Sequence, residues 1–413
     1  MNQNLFLYLF LFGEIVSFAL NEFISFSTYL YKKSGKAEIP EYARSYIDEG
    51  TEKKSDEYYK AQFVFGQVRR CTVFVFCLLL VFLGYYTWLY DLMDVGNLYL
   101  QSVLFLVFLS LPGLVLNIPF TLYSEFVIEK KFGFSNTSFK LWLSDLVKNI
   151  VIEYVLGFLL YGVLVFILQS LKDEWWYVAG TFLVLFSLIL TVIYPIWIAP
   201  LFNKFVPLEE GSLREKLDAL LSREGFSLKK VFVVDESKRS NHSNAYCSGF
   251  GKNKRIVLYD SLIKTLDEDE IVAVFAHELG HAKKKHIAKR LITSFAILFL
   301  ALYLASLLIG NEMMYLSFGF DSTNPVVGLF LLSLVFGSYP GFLSWIGNYF
   351  SRRDEREADM FAKKKLGSGE KLASSLLKLQ KQNLSNSQPS KVEVFFRYSH
   401  PTVFMRVEYL LEP

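Results

Sequence analysis

The 413-residue chain holds only three cysteines, Cys71, Cys77 and Cys247. Three cannot make a paired framework, and none stand at a Cys-x-x-Cys spacing. A disulfide-stapled fold and a cysteine-rich structural zinc site are both excluded. Cys71 and Cys77 read as ordinary small residues of an apolar helix, and Cys247 suits a reducing, cytosol-facing setting. Charge is scarce too: 20% of residues are charged, against 53% hydrophobic and 17% aromatic. The net charge of +3 comes from local lysine clusters rather than a continuous basic stripe, so no nucleic-acid partner is expected. Histidine is scarce as well, with five: His242, His277, His281, His286 and His400.

Long apolar runs are what the chain has in excess. Residues 5–30, 71–90, 98–125, 149–169, 175–199, 291–309 and 326–350 can each cross about 30 Å of hydrocarbon at about 1.5 Å per residue. The expected fold class is an all-α multi-pass membrane protein with seven transmembrane helices, surrounded by lipid. Pro112, Pro119, Pro195 and Pro340 are placed to kink or end their helices. Trp175 and Trp176 suit a membrane–water interface. Residues 32–70 carry nine Lys/Arg and 127–148 carry four, whereas 1–4, 91–97 and 310–325 carry none. Positive and bare loops alternate, so the positive-inside rule predicts an N-terminus outside and a C-terminus inside. Seven spans satisfy that parity; six or eight do not. The first span has no basic segment before it and contains Glu14 and Glu22, so it reads as a retained helix whose carboxylates line an internal polar space.

The spans divide the chain. Residues 1–199 hold five spans with cytosolic loops 32–70 and 127–148. Residues 200–290 form the first half of a soluble catalytic domain, 291–350 hold two more spans, and 351–413 form the second half. Within the soluble parts, helical spacing predicts helices over 212–224 (with Gly225 as C-cap), 351–366 (ending before Gly367) and about 370–382. Val231–Asp235 and Arg255–Tyr259 read as strands of a small sheet.

The chemistry is concentrated in 271–290, which contains His277-Glu278-Leu-Gly-His281. Two histidines four apart share a helix face and can bind one Zn²⁺ as neutral imidazoles, and the intervening glutamate can take the proton of a metal-bound water. Thr265-x-x-Glu268 reads as the capping box that starts this helix. His286 lies five residues after His281 and nine after His277. On a continuous helix it points away from their face and reads as a polar interface residue. The position that a metzincin fills with a third histidine is Ile287. A catalytic zinc needs a third protein ligand and one open position. Residues 354–359 offer Asp354, Glu355, Glu357 and Asp359. Glu355 and Asp359 share a face, so one could bind the metal while the other orients a liganding histidine. Spacing does not exclude Glu357.

The chain resembles the type I CAAX prenyl endopeptidases, integral-membrane zinc proteases. The residues carrying the resemblance are Ser-Glu125-Phe-Val-Ile-Glu-Lys-Lys-Phe-Gly-Phe, Ile-Ala-Pro200-Leu-Phe-Asn-Lys-Phe, Ser237-Lys-Arg-Ser-Asn-His-Ser-Asn-Ala-Tyr, Lys252-Asn-Lys-Arg-Ile-Val-Leu-Tyr-Asp, His277-Glu-Leu-Gly-His, Ser351-Arg-Arg-x-Glu-x-x-Ala-Asp and Tyr398-Ser-His-Pro. The resemblance implies that Glu355 is the third ligand beside His277 and His281, with Asp359 behind a histidine. It implies that Asn244, with Ala245 and Tyr246, holds the substrate backbone, and that His400 and Arg406 line the site. It also implies seven helices enclosing a water-filled chamber, with a zincin-type domain at the cytosolic end. Arg356 and Glu357 depart from the family's usual aromatic and Gln. The short turn between Leu266 and Glu268 replaces the long acidic insert of animal relatives and suggests a microbial source.

The expected activity is hydrolysis of peptide bonds near the C-terminus of prenylated CAAX-type substrates, and of other membrane or misfolded proteins, with one Zn²⁺ per chain. Glu278 is the base, a substrate strand adds beside Asn244–Tyr246, and His400 or Arg406 stabilises the oxyanion. The expected setting is the ER membrane of a eukaryote or the inner membrane of a bacterium; the sequence is compatible with a monomer and does not fix the oligomeric state. The competing reading is a channel, transporter or receptor with a structural zinc.

Overall fold

The computed structural model describes residues 4–224, 231–248 and 255–412. Gly225 and residues 249–254, which carry the expected C-cap and part of the family resemblance, lie outside that range. Six apolar helices are long enough to span: Leu5–Lys33, Glu49–Phe82, Leu98–Phe132, Phe139–Ser170, Trp175–Leu201 and His286–Leu308. A bent pair, Pro325–Phe336 and Tyr339–Leu366, turned by 43° across the break at Gly337 and Ser338, brings the number to seven when counted as one span. Pro119 precedes a wide turn at Ser124–Glu129, and Pro195 begins another within Tyr194–Ile198. A proline that removes an N–H favours such local unwinding.

Several helices overrun their expected bounds. The second span begins inside the 32–70 segment: its helix starts at Glu49, after the Asp48 cap, and runs 34 residues to Phe82. At about 1.5 Å per residue that is about 51 Å, so its charged first half stands clear of the apolar layer. Trp175 is buried among Val165, Leu168 and Leu302 rather than displayed at an interface, and Trp176 packs edge-on against Tyr303 at 5.3 Å.

Polar side chains tie the spans internally. Arg70 Nε donates to Glu22 at 2.6 Å, the Ser338 hydroxyl bonds Glu14, and Arg397 donates to Asn21 and Ser25 of the first span. Both intramembrane carboxylates therefore face protein partners, as charges at that depth require.

The soluble part contains a four-stranded sheet: β1 Phe205–Pro207, β2 Val231–Val234, β3 Ala245–Ser248 and β4 Arg255–Tyr259, in the order β1-β2-β4-β3. The Val/Ile-rich β2 and β4 pair in parallel, Val231 beside Ile256 through Val234 beside Tyr259. β3 runs antiparallel to β4 and forms an outer edge. Helices Ser212–Arg223, Glu268–Lys283, Glu370–Gln382 and Val403–Leu411 pack together through Leu217, Leu221, Leu258, Leu262, Ile271, Phe275, Leu279, Leu372, Leu377, Phe404 and Val407, joined by Ile39, Ala43 and Ile47 from before the second span. Segments separated by the last two spans thus share one core.

The helix carrying the histidine pair starts two residues later than expected. Asp267, in extended conformation, accepts from Glu270 N at 2.8 Å, and Glu270 Oε2 accepts from Asp267 N at 2.9 Å. Thr265 cannot cap it, because its hydroxyl donates back to Ser261 O at 2.9 Å inside the preceding short helix, Asp260–Thr265.

Candidate metal centre

The helical repeat of Glu268–Lys283 puts His277 and His281 one turn apart, with their Nε2 atoms 3.2 Å from each other. Helix Ser344–Leu366 crosses this helix and delivers Glu355 from the far side of two spans. Glu355 Oε2 lies 3.3 Å from His277 Nε2, and Oε1 lies 3.2 Å from His281 Nε2. The crossing is close because residue 280 is glycine: a Cβ there would stand 2.9 Å from Ala358 Cα and 3.1 Å from its carbonyl oxygen. Only a residue without a side chain permits that approach.

These three residues fit a zinc ion. Tetrahedral bonds of about 2.0–2.1 Å place neighbouring ligand atoms about 3.3 Å apart, close to the 3.2 Å between the two Nε2 atoms and to the 3.2–3.3 Å that separates each of them from one Glu355 oxygen. Glu355 Oε2 is buried without a hydrogen-bond partner, as expected of an atom reserved for a cation. Both imidazoles have the Nδ1 atom otherwise engaged, leaving Nε2 for the metal.

His277 Nδ1 is 2.7 Å from Asp359 Oδ1, and Asp359 is completely buried. Arg406 closes on Asp359 with two hydrogen bonds, 2.6 Å from Nη2 and 2.8 Å from Nε, and the Tyr409 hydroxyl adds a third at 2.5 Å. Burial would discharge His277, yet its hydrogen bonds to Asp359 and Glu355 hold its metal-free pKa up at about 9. His400 Nε2 stands 3.3 Å from Glu355 Oε1 on the exposed side of the cluster. Glu278 is half-buried and takes no hydrogen bond or ion pair from any described residue, so its carboxylate is free to receive a proton.

The structure therefore brings together His277, His281, Glu355, Asp359, His400 and Arg406. Asn244 lines a polar cavity of about 620 Å³ with Tyr58, Tyr59, His242 and Asn383. Ala245 and Tyr246 follow on the edge strand β3, and Ala245 packs against the same core as the histidine helix. Glu357 is not part of the cluster; its Oε1 meets Arg353 at 3.5 Å. Arg356 stacks over the Tyr409 ring at 5.3 Å.

Sequence reasoning missed Tyr409, Gly280 and His286. Gly280 could have been found from its place inside the histidine motif, where an unneeded glycine costs about 1 kcal/mol of helix propensity. His286 is buried, with Nδ1 only 3.0 Å from His281 Nδ1. The helix does not continue to it: Lys285 adopts a left-handed conformation at φ 57°, ending one helix and starting the next.

Apolar spans joined to a soluble part that gathers a His, His, Glu cluster, with a further glutamate beside it, have the makings of a membrane metallopeptidase. The family model for the CAAX prenyl protease N-terminal region with five membrane helices matches residues 29–204, and that for peptidase family M48 matches residues 207–413. The chain belongs to the CAAX prenyl protease 1 family of M48 peptidases. It is 34% identical to CAAX prenyl protease 1 of Saccharomyces cerevisiae over 95% of this chain and 93% of that one. It is 40% identical to the Oryza sativa homologue, covering 77% and 75% of the two chains. The crystal structure of S. mikatae Ste24p superposes with a TM-score of 0.88 at 31% identity, over 97% of this chain and 98% of that one.

Proposed function

We propose that this peptidase holds one zinc ion through His277, His281 and Glu355 and cleaves peptide bonds near the C-terminus of prenylated CAAX-type proteins. The observation that carries the metal assignment is the convergence of two Nε2 atoms, 3.2 Å apart, on the Glu355 carboxylate, each within 3.3 Å of one of its oxygens, with Oε2 buried and without a hydrogen-bond partner among the described residues. The substrate assignment rests on the names of the relatives.

When bound, zinc polarises the scissile carbonyl and acidifies a water. Glu278 takes that proton and passes it to the leaving amine. Asp359, clamped by Arg406 and Tyr409, keeps the Nδ1 proton of His277 in place so that Nε2 faces the metal. His400, on the open side of Glu355, is placed to donate to the developing oxyanion, and Arg406 lends positive charge from behind. Asn244 and the free edge of β3 hold the substrate backbone as an added strand. The alternation of basic and bare loops puts the N-terminus outside and the site at the cytosolic face. Residues 200–290 and 351–413 then act as two halves of one catalytic domain, attached to spans within 1–199 and 291–350.

Glu278→Gln tests the mechanism. The purified variant should retain one zinc per chain and lose cleavage of a farnesylated peptide by at least about a hundredfold. Near-normal cleavage would remove Glu278 from its role. Cleaving one peptide with and without its farnesyl group tests the substrate class, and equal kcat/KM for the two would refute prenyl recognition.

A further inference from the structure

His286 has no role in the mechanism above, yet it is 1% exposed and in direct contact with a proposed metal ligand. Its Nδ1 is 3.0 Å from His281 Nδ1. Its Nε2 lies 3.4 Å from Glu357 Oε2 and 3.5 Å from Asp354 Oδ1. Those carboxylates are held in turn: Arg353 Nε is 3.5 Å from Glu357 Oε1, and Arg290 Nη2 is 3.4 Å from Asp354 Oδ2. The groups facing the His286 ring thus come from two elements, the histidine helix and the return helix Ser344–Leu366, with Arg290, on the helix that His286 begins, behind Asp354.

The donor count along this row leaves one consistent arrangement. Carboxylates accept hydrogen bonds, so Nε2 of His286 carries the proton that points at Glu357 and Asp354. In a neutral ring, Nδ1 of His286 is then a bare lone pair. The contact with His281 requires the other partner to donate, which puts the His281 proton on Nδ1. Nε2 of His281 is left as a lone pair, the form in which it binds a metal.

We propose that His286 is a positioning residue for the zinc site, fixing the tautomer and ring plane of His281 through Nδ1 while Glu357 and Asp354 fix its own. The two histidine ligands are therefore supported differently. His277 rests directly on the Asp359 carboxylate, and His281 rests on carboxylates relayed through a second imidazole. The left-handed turn at Lys285 makes the relay possible, because a continuous helix would carry His286 around to another face. This inference rests on His277, His281 and Glu355 being the zinc ligands.

The test uses the full-length protein purified in detergent, with zinc affinity read by competition against a chelator, kcat/KM read on a farnesylated peptide, and folding checked by cooperative thermal unfolding. His286→Leu keeps bulk and removes both hydrogen bonds. It should weaken zinc affinity about 10- to 100-fold, the usual consequence of losing a partner behind a ligand. His286→Gln can accept from His281 and donate to the carboxylates, and should recover most of that loss. Asp354→Ala/Glu357→Ala leaves His286 in place and should weaken affinity in the same direction, which keeps the test open if His286→Leu does not fold. A folded His286→Leu with wild-type affinity would overturn the proposal. So would a folded His286→Gln as weak as His286→Leu, or a double carboxylate variant at wild-type affinity. Wild-type protein that binds no zinc would instead overturn the metal assignment beneath it.

Discussion

Gly280→Ala separates two effects of opposite sign. In an ordinary helix the change stabilises by about 1 kcal/mol, because alanine is the better helix former. Here the new Cβ would lie 2.9 Å from Ala358 Cα, 3.1 Å from Ala358 O and 3.3 Å from Ala358 Cβ, where ordinary contact begins at 3.4 Å. The first two are backbone atoms, so no rotamer change relieves them. The helices must part by about 0.5 Å or more, at an overpacking cost of about 1–3 kcal/mol. Glu355 lies three residues before Ala358 and His281 one residue after Gly280, so this separation directly opens the 3.2 Å contact between His281 Nε2 and Glu355 Oε1. Metal sites hold their distances to within about 0.2 Å. The expected result is a lower unfolding temperature and a zinc affinity reduced by at least about tenfold, read by chelator competition and by melting with and without zinc. Adding Ala358→Gly should not rescue it, since that removes only the 3.3 Å contact. A Gly280→Ala protein that melts higher than wild type and keeps full zinc affinity would show that the crossing does not set the metal geometry.

Other perturbations rank themselves by burial. Arg406→Leu leaves the fully buried Asp359 short of its main counter-charge and should cost about 3–5 kcal/mol, whereas Tyr409→Phe removes one hydrogen bond to that carboxylate and should cost about 1.5–3 kcal/mol. The reverse order of unfolding midpoints would contradict the network. Asp267→Ala removes the observed helix cap and should cost about 1 kcal/mol with zinc stoichiometry unchanged; Thr265→Val, at the position the sequence suggested, should leave the helix cap intact. Because His277 is protonated below about 9 in the metal-free chain, zinc must displace that proton. Apparent zinc affinity should then rise about tenfold per pH unit through neutrality and flatten above pH 9, and a flat profile would refute the assignment. The same raised pKa means that His277 stabilises the metal-free fold most at low pH, with that contribution fading as pH climbs toward 9.

The parts legible in the chain were those written in local periods. Apolar runs located the spans, a four-residue spacing paired His277 with His281, and Val/Ile runs marked β2 and β4. Glu355 was legible from spacing only as one of several acids, and family resemblance singled it out. What stayed hidden depended on breaks in period or on packing across distance. Two capping boxes competed in 265–270, and the outcome turned on whether the Thr265 hydroxyl found a partner behind it, which it did in Ser261. β1 is three residues long, too short to show alternation. Tyr409 reaches Asp359 across 50 residues of sequence, with no periodic relation between them.

His286 is the instructive case, because the argument that set it aside was sound for an unbroken helix. Lysine in the left-handed region is rare enough that nothing in Lys283-Lys284-Lys285 announces a break. The break costs energy, and it persists because the surrounding contacts over-determine it. Arg290, Asp354 and Glu357 hold the far side of His286, while His281 holds the near side. All four lie on elements that the last two spans either begin or end. The turn that separates the histidine helix from the sixth span is thus the same turn that returns an imidazole to the metal site.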